Sequence, residues 1–258
     1  MKNNLKISLV QFHISENKKE NLMNLEKLFS KIIYTDIILL PEMFNTSFLP
    51  ENIDLAESMN GSTIKWMKKI SKEYNCSIVG TLMIRQNKKI YNRLVWVKKS
   101  LEIFTYDKKH LFSIANEDKY LSKGNEKIII EQDGWKICPL ICYDLRFPAF
   151  IRNIENYDVL IFLANWPEKR IESWSTLLKA RAIENQCISI GVNRVGKDSN
   201  NIIYDGNSKV IDIFGKKIGS CEKSREEIVT VTLNKKKYET QKNKFNFLKD
   251  LDKEYFNF

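Results

Sequence analysis

Three residues of this chain carry side chains suited to acyl transfer, and each stands at or just beyond an apolar run. They are Glu42 after IILL (37–40), Lys108 in YDKKHLF (106–112), and Cys142 at the close of ICPLIC (137–142). A thiolate can attack an amide carbonyl, a carboxylate can take the thiol proton and return it to the leaving amine, and a cation can stabilise the oxyanion. A free cysteine, with a pKa of about 8.5, is mostly thiol at neutral pH and needs a base or a cation beside it. Of the two histidines, His13 lies in the first strand, so a Cys–His pairing rests on His110 alone. No GxSxG elbow is present for a Ser-His-Asp hydrolase. Each candidate also has a plain structural reading: Cys142 as an inert core sulfur, Glu42 as a helix cap, Lys108 as one surface lysine among many. Spacing alone does not bring the three together.

The elements that must position them follow from hydrophobic period. Residues 5–12 alternate like a strand, Leu22, Leu25, Leu28, Phe29 and Ile32 recur at helical spacing, and residues 36–40 form a short apolar run, together a β-α-β unit. Ser62 or Thr63 can cap a helix carrying Ile64, Met67, Ile70 and Tyr74, with a strand over 76–84 and a strand pair over 90–97 and 101–105. In the second half, 135–142 is strand-like, 148–154 can be a short helix, 159–164 is an apolar run, and a helix over about 171–185 leads into 187–192. Strands near 209–213 and 227–233, joined around 214–217, look like a hairpin. Apolar runs separated by amphipathic helices predict an α/β fold with a mixed sheet covered on both sides, and chemistry at the carboxyl ends of its strands.

At 258 residues, with 43% hydrophobic and 29% charged residues, the chain reads as a single globular domain over 1–258, with a weakly attached C-terminal tail over about 235–258. The phenylalanines of that tail, Phe245, Phe247, Phe256 and Phe258, favour docking over disorder. No signal-like segment and no run of about 18 apolar residues is present, which predicts a cytoplasmic protein. Five cysteines without a CxxC pair predict free thiols, and with two histidines they argue against a metal site. The net charge of +10 comes mostly from lysines spread among acidic residues, so a solvated surface is favoured over a nucleic-acid face.

The ordered motifs LVQF (9–12), LLPEMF (39–44), YDKKHLF, CYDLRFP (142–148), ANWP (164–167), ARAIENQ (180–186) and GVNRVG (191–196) resemble the nitrilase superfamily of carbon–nitrogen hydrolases. The resemblance implies an α-β-β-α sandwich, with Cys142 as nucleophile, Glu42 as general base and then acid, Lys108 as the charge facing the oxyanion, and the Tyr143 backbone N–H as a second donor. Lys108 is preferred to Lys109 because the family pattern leaves one residue between the lysine and the position of His110. Glu117, in SIANEDKYLSKG (113–124), matches the family's second glutamate, which would order Lys108; its plain alternative is an exposed loop carboxylate. Members commonly pair through outer helices, so a homodimer or higher homo-oligomer is implied, with 148–154, 171–185, Trp174 and Leu178 as candidate contacts, although core packing explains Trp174 and Leu178 equally well.

Within the superfamily the motifs most resemble the omega-amidase branch, implying hydrolysis of 2-oxoglutaramate and 2-oxosuccinamate without cofactor or metal. Other carbon–nitrogen activities, on N-carbamoyl amino acids, other amides or nitriles, are the alternatives. Arg146 is a candidate for the substrate carboxylate or, alternatively, for an internal ion pair supporting the cysteine loop. Phe44, Phe112 and Trp166 can line the pocket or simply pack in the core. His110 can orient Lys108 or support its loop. Cys138, four residues before Cys142, is expected on the same face of one strand.

Overall fold

Alternation along the strands decides which layer each side chain joins. The computed structural model describes residues 2–252. From the N-terminus, β1 (Asn4–Gln11), α1 (Lys18–Phe29), β2 (Ile37–Leu39), α2 (Ser62–Glu73), β3 (Ser77–Gln86), β4 (Lys89–Val97) and β5 (Ile103–Asp107) build the first half. The second half holds α3 (Glu117–Tyr120), β6 (Ile130–Gln132), β7 (Trp135–Ile141), α4 (Pro148–Ile151), β8 (Val159–Ala164), α5 (Ile171–Glu184) and β9 (Ile188–Asn193). It closes with β10 (Val195–Lys197), β11 (Ile203–Asp205), β12 (Lys209–Ile211), β13 (Lys217–Ser220), β14 (Glu227–Asn234) and α6 (Lys235–Lys244).

One six-stranded sheet runs β14-β1-β2-β3-β4-β5, a second runs β13-β12-β9-β8-β7-β6, and β10 and β11 form a separate two-stranded arm. In β2, Ile37 and Leu39 point into the core shared with the second sheet, while Ile38 and the following Leu40 point to the core under α1 and α2. On the far side, Trp174 and Leu178 of α5 pack onto the second sheet at Gly191, where a Cβ would come within 2.4 Å of the Trp174 ring. The result is a four-layer α-β-β-α sandwich.

Several local expectations change. The hairpin closes from β12 onto β13, because Asp212 Oδ1 accepts the N–H groups of Phe214 and Lys216 and Gly215 adopts φ +79°. β14 instead crosses to the other sheet and pairs with β1 from Asn4↔Asn234 to Gln11↔Glu227. The helix expected over 148–154 stops at Ile151, because the Asn153 side chain binds the backbone N–H and C=O of Tyr157 and turns the chain. The start of α2 is capped from outside: Glu57 accepts the Thr63 N–H at 2.9 Å. Trp174 and Leu178 are fully buried against their own chain, so core packing accounts for both. Beyond β14, α6 buries Tyr238 against Trp135, and Phe245 meets Phe214 edge-on. Phe256 and Phe258 lie outside the described residues.

Candidate active site

The carboxyl ends of parallel strands carry most of the site, as expected where strands leave an α/β sheet. Glu42 lies three residues beyond β2, and the next residue, Met43, is held at φ +44° with its N–H on Thr81 Oγ1 at 2.8 Å. Lys108 follows β5 directly; its N–H donates to Asn92 O and its C=O accepts from Gly124 N–H. Only glycine fits at 124, since a Cβ would lie 2.1 Å from Asp107 O. Glu117 opens α3, entered through Asn116 at φ +56°. Cys142 leaves β7 at φ +42° and starts a 3₁₀ turn over Cys142–Arg146. For a non-glycine residue this left-handed conformation is strained, and such strain clusters where a side chain must be presented.

Glu42, Lys108 and Glu117 are all fully buried. Lys108 Nζ donates to Glu42 Oε1 at 2.8 Å and to Glu117 Oε2 at 2.8 Å. Asn92 Nδ2 bridges the two carboxylates, 2.8 Å from Glu42 Oε1 and 2.9 Å from Glu117 Oε1. The remaining oxygen of Glu42 accepts the Asn165 N–H at 2.9 Å, and Glu117 Oε2, already bound by Lys108, also accepts the Phe112 N–H at 2.7 Å. Each carboxylate is thereby fixed in orientation, as a positioned proton acceptor must be.

The electrostatics divide these groups. Burial pulls the Lys108 ammonium down, but the negative charges of Glu117 and Glu42 outweigh it and hold the group above its ordinary value. Burial pushes the Glu117 carboxyl up, Lys108 opposes the shift, and Glu42 adds to it. Burial also pushes the Cys142 thiol well above its usual range, and the neighbouring Glu42 pushes it further. At rest Cys142 is therefore held as a thiol, with Glu42 beside it. A proton can pass between them as the sulfur attacks.

Glu42, Lys108 and Cys142 line a cavity of about 340 Å³ together with Phe48, Phe112, Tyr143, Arg146, Trp166, Arg170 and Tyr204 of β11. Of the residues expected at the site, Glu42, Lys108, Cys142, Tyr143, Phe112, Arg146 and Trp166 line the cavity. Glu117 stands behind Lys108 rather than in a solvent-exposed loop. Tyr143 is in the first turn of the 3₁₀ segment, where N–H groups lack helical partners. Phe44 does not belong to the cavity: it faces the α2 side, against Trp66 and Gly80. Arg146 makes no ion pair among the described residues; it donates to Ser173 Oγ at 3.1 Å, with its guanidinium over the Trp166 ring.

Two supporting residues were not singled out by sequence. Asn92, beside Arg93, interrupts the otherwise apolar strand IYNRLVWV, and that interruption was its available signal. Asp144, fully buried, accepts from Ile141 N–H, Tyr106 O–H and His110 N–H, and lies 2.8 Å from His110 Nδ1. It ties the lysine loop to the cysteine turn. His110 stacks on Phe147 at 3.7 Å and so supports the loop rather than orienting Lys108.

Cys138 is buried on the α5 side of the second sheet, in register with Leu160 and Ser189 on the face where Gly191 meets Trp174, whereas the left-handed turn at Cys142 breaks the alternation and carries that thiol to the cavity. Cys76, Cys187 and Cys221 are buried as well, with burial raising each thiol, Cys76 and Cys221 to about 12. Iodoacetamide on the folded protein is therefore expected to label Cys142 alone, faster as pH rises, because only the thiolate reacts and its thiol is held high. Peptide mass mapping checks this, and early label on Cys138 would contradict the strand-end geometry.

Residues 6–243 match the carbon–nitrogen hydrolase family. The omega-amidase YafV of Escherichia coli K12 is 35% identical over 249 residues, covering 96% of this chain and 97% of the relative. The 2-oxoglutaramate amidase of Bacillus subtilis 168 is 39% identical over 228 residues, 86% of this chain and 87% of the relative. Among solved structures, a carbon–nitrogen hydrolase superfamily protein from Xanthomonas campestris, with an arsenic adduct in its active site, superposes with a TM-score of 0.94 at 36% identity, over 97% of this chain and 98% of its own.

Proposed function

Because the chain belongs to the carbon–nitrogen hydrolase family and is an amide-hydrolysing enzyme, we propose that it removes the terminal amide of small 2-oxo dicarboxylic acid monoamides, 2-oxoglutaramate and 2-oxosuccinamate. The observation that carries the chemistry is the strained Cys142 turn lining a cavity, with the Glu42–Lys108–Glu117 cluster beside it. The substrate class is supported by the likeness to the two amidases named above and by Arg146, a cavity cation with no acidic partner among the described residues.

In this reading Glu42 takes the Cys142 proton as Sγ bonds to the amide carbon. The carbonyl oxygen becomes an oxyanion between Lys108 Nζ and the Tyr143 N–H. Collapse of the tetrahedral species breaks the C–N bond, Glu42 gives its proton to the leaving nitrogen, and ammonia departs from a thioester. Water, losing a proton to Glu42, then adds to the thioester carbon. The second collapse releases the dicarboxylic acid, and Glu42 returns the proton to the sulfur. Glu117 keeps Lys108 oriented throughout and touches no reacting atom. Cytoplasmic placement is part of the same reading, since the five cysteines are free thiols.

Ammonia release from 2-oxoglutaramate, glutamine, pentanamide, an N-carbamoyl amino acid and a nitrile tests the proposal. The highest kcat/KM is expected on 2-oxoglutaramate. A higher value on the carbamoyl compound or the nitrile would replace this reading with the corresponding alternative.

A further inference from the structure

The cavity lining carries a second arginine. Arg170 follows Trp166 by four residues, in the 3₁₀ turn Glu168–Arg170 between β8 and α5, and its guanidinium rests over the Phe112 ring at 5.3 Å. Arg146 rests in the same manner over Trp166, at 4.8 Å. Neither arginine pairs with a carboxylate among the described residues. Each rests on an aromatic face, a contact that uses no N–H; the Arg170 guanidinium keeps its N–H edges free of carboxylates, and Arg146 commits only Nη2, to Ser173. The two are joined through Ser173, whose Oγ accepts from Arg146 Nη2 at 3.1 Å and donates to the Arg170 backbone C=O at 2.7 Å. The same carbonyl accepts the Trp166 Nε1–H at 2.8 Å.

The acidic groups in the cavity and behind it do not compensate these two arginines. Glu42 and Glu117 are engaged with Lys108, and Asp198 accepts from the Tyr204 hydroxyl and the Ile202 N–H. Glu51 is exposed and forms no ion pair with either arginine. Two guanidinium groups without carboxylate partners lining one cavity fit a planar anion, which a guanidinium fork can bind with two parallel hydrogen bonds.

We infer that Arg170 is a specificity-determining residue that, with Arg146, selects substrates bearing a carboxylate at the end away from the scissile amide. This inference rests on the proposed amidase function and deepens it. Arg170 is exposed, and its contacts to Trp166 and Ser173 use only its backbone oxygen. Replacing its side chain therefore leaves those supports in place, and Arg170→Met retains an apolar stem over Phe112.

The experiment compares kcat/KM for 2-oxoglutaramate and for pentanamide in wild type, Arg170→Met and Arg170→Lys. A second arm measures 2-oxoglutaramate binding calorimetrically in Cys142→Ala and in Cys142→Ala/Arg170→Met. The ratio of the two kcat/KM values is expected to fall about 10- to 100-fold in Arg170→Met, mainly through KM, and to recover partly in Arg170→Lys, which restores charge without the fork. The dissociation constant is expected to rise by a similar factor in the double variant. An unchanged ratio and unchanged binding, with wild type still preferring 2-oxoglutaramate, would overturn the role of Arg170 alone. A wild type with no preference for 2-oxoglutaramate over pentanamide would overturn the proposed function, and the inference with it.

Discussion

Cys142→Ala is expected to lower kcat for 2-oxoglutaramate by on the order of 10⁴-fold or more, the scale on which covalent enzymes lose turnover when the attacking atom is removed. The fold should tolerate the change. Alanine adopts the same left-handed conformation at the same cost, and among the described residues the sulfur donates only one hydrogen bond, a long one of 4.0 Å to Asn165 O. Thermal unfolding midpoints of the two proteins should accordingly lie close together. A direct check is acid quenching during turnover: wild type should gain the mass of the acyl group, and the variant should gain nothing. Residual activity within tenfold of wild type would place the nucleophile elsewhere.

Lys108→Met is expected to damage both chemistry and stability. It removes the cation facing the developing oxyanion and leaves Glu42 and Glu117 buried together without a counter-charge. Loss of one partner from a buried ion cluster typically costs about 3–5 kcal/mol. The pH dependence has a definite sign. Glu117 already sits above its ordinary carboxyl value, by burial and by the charge of Glu42, with Lys108 opposing the shift. Removing Lys108 moves it further up. A carboxyl whose folded value exceeds its unfolded one adds most stability below the unfolded value and loses that contribution as pH rises through the folded one. Lys108→Met should therefore be nearest to wild type in mildly acidic buffer and fall behind as pH rises, as denaturant midpoints at several pH values would show. Equal deficits at all pH values would mean that the two carboxylates do not share the buried charge.

Much of this site is readable from the chain because strand ends leave local marks. Glu42 and Cys142 follow short apolar runs, and the runs are the buried strands β2 and β7. What joins them is not local. Glu42 Oε2 meets the N–H of Asn165, 123 residues away, and Ser8 reaches Thr230 across 222 residues. No periodicity encodes such a meeting. The same blindness explains the misplaced hairpin, since the pattern of β14 is satisfied by either sheet and only the turn at Gly215 decides. Phe44 was misread for a geometric reason. It is two residues from Glu42, but the left-handed Met43 between them turns the chain, so spacing no longer tells which way the ring points. Asn92 and Asp144 escaped notice because each acts by holding other residues, and a holding role has no motif of its own.

Glu42 and Lys108 belong to one sheet, and Cys142 and Asn165 to the other. Within a sheet, backbone ladders fix the spacing of neighbours; between sheets, interdigitated side chains do, together with the Asn165–Glu42 hydrogen bonds at the site. Neither half of the polypeptide holds a working thiol by itself, since base and sulfur meet only where the two layers abut. Turnover thus works as a gauge of the gap between them, sensitive to displacements too small to expose any core residue to water.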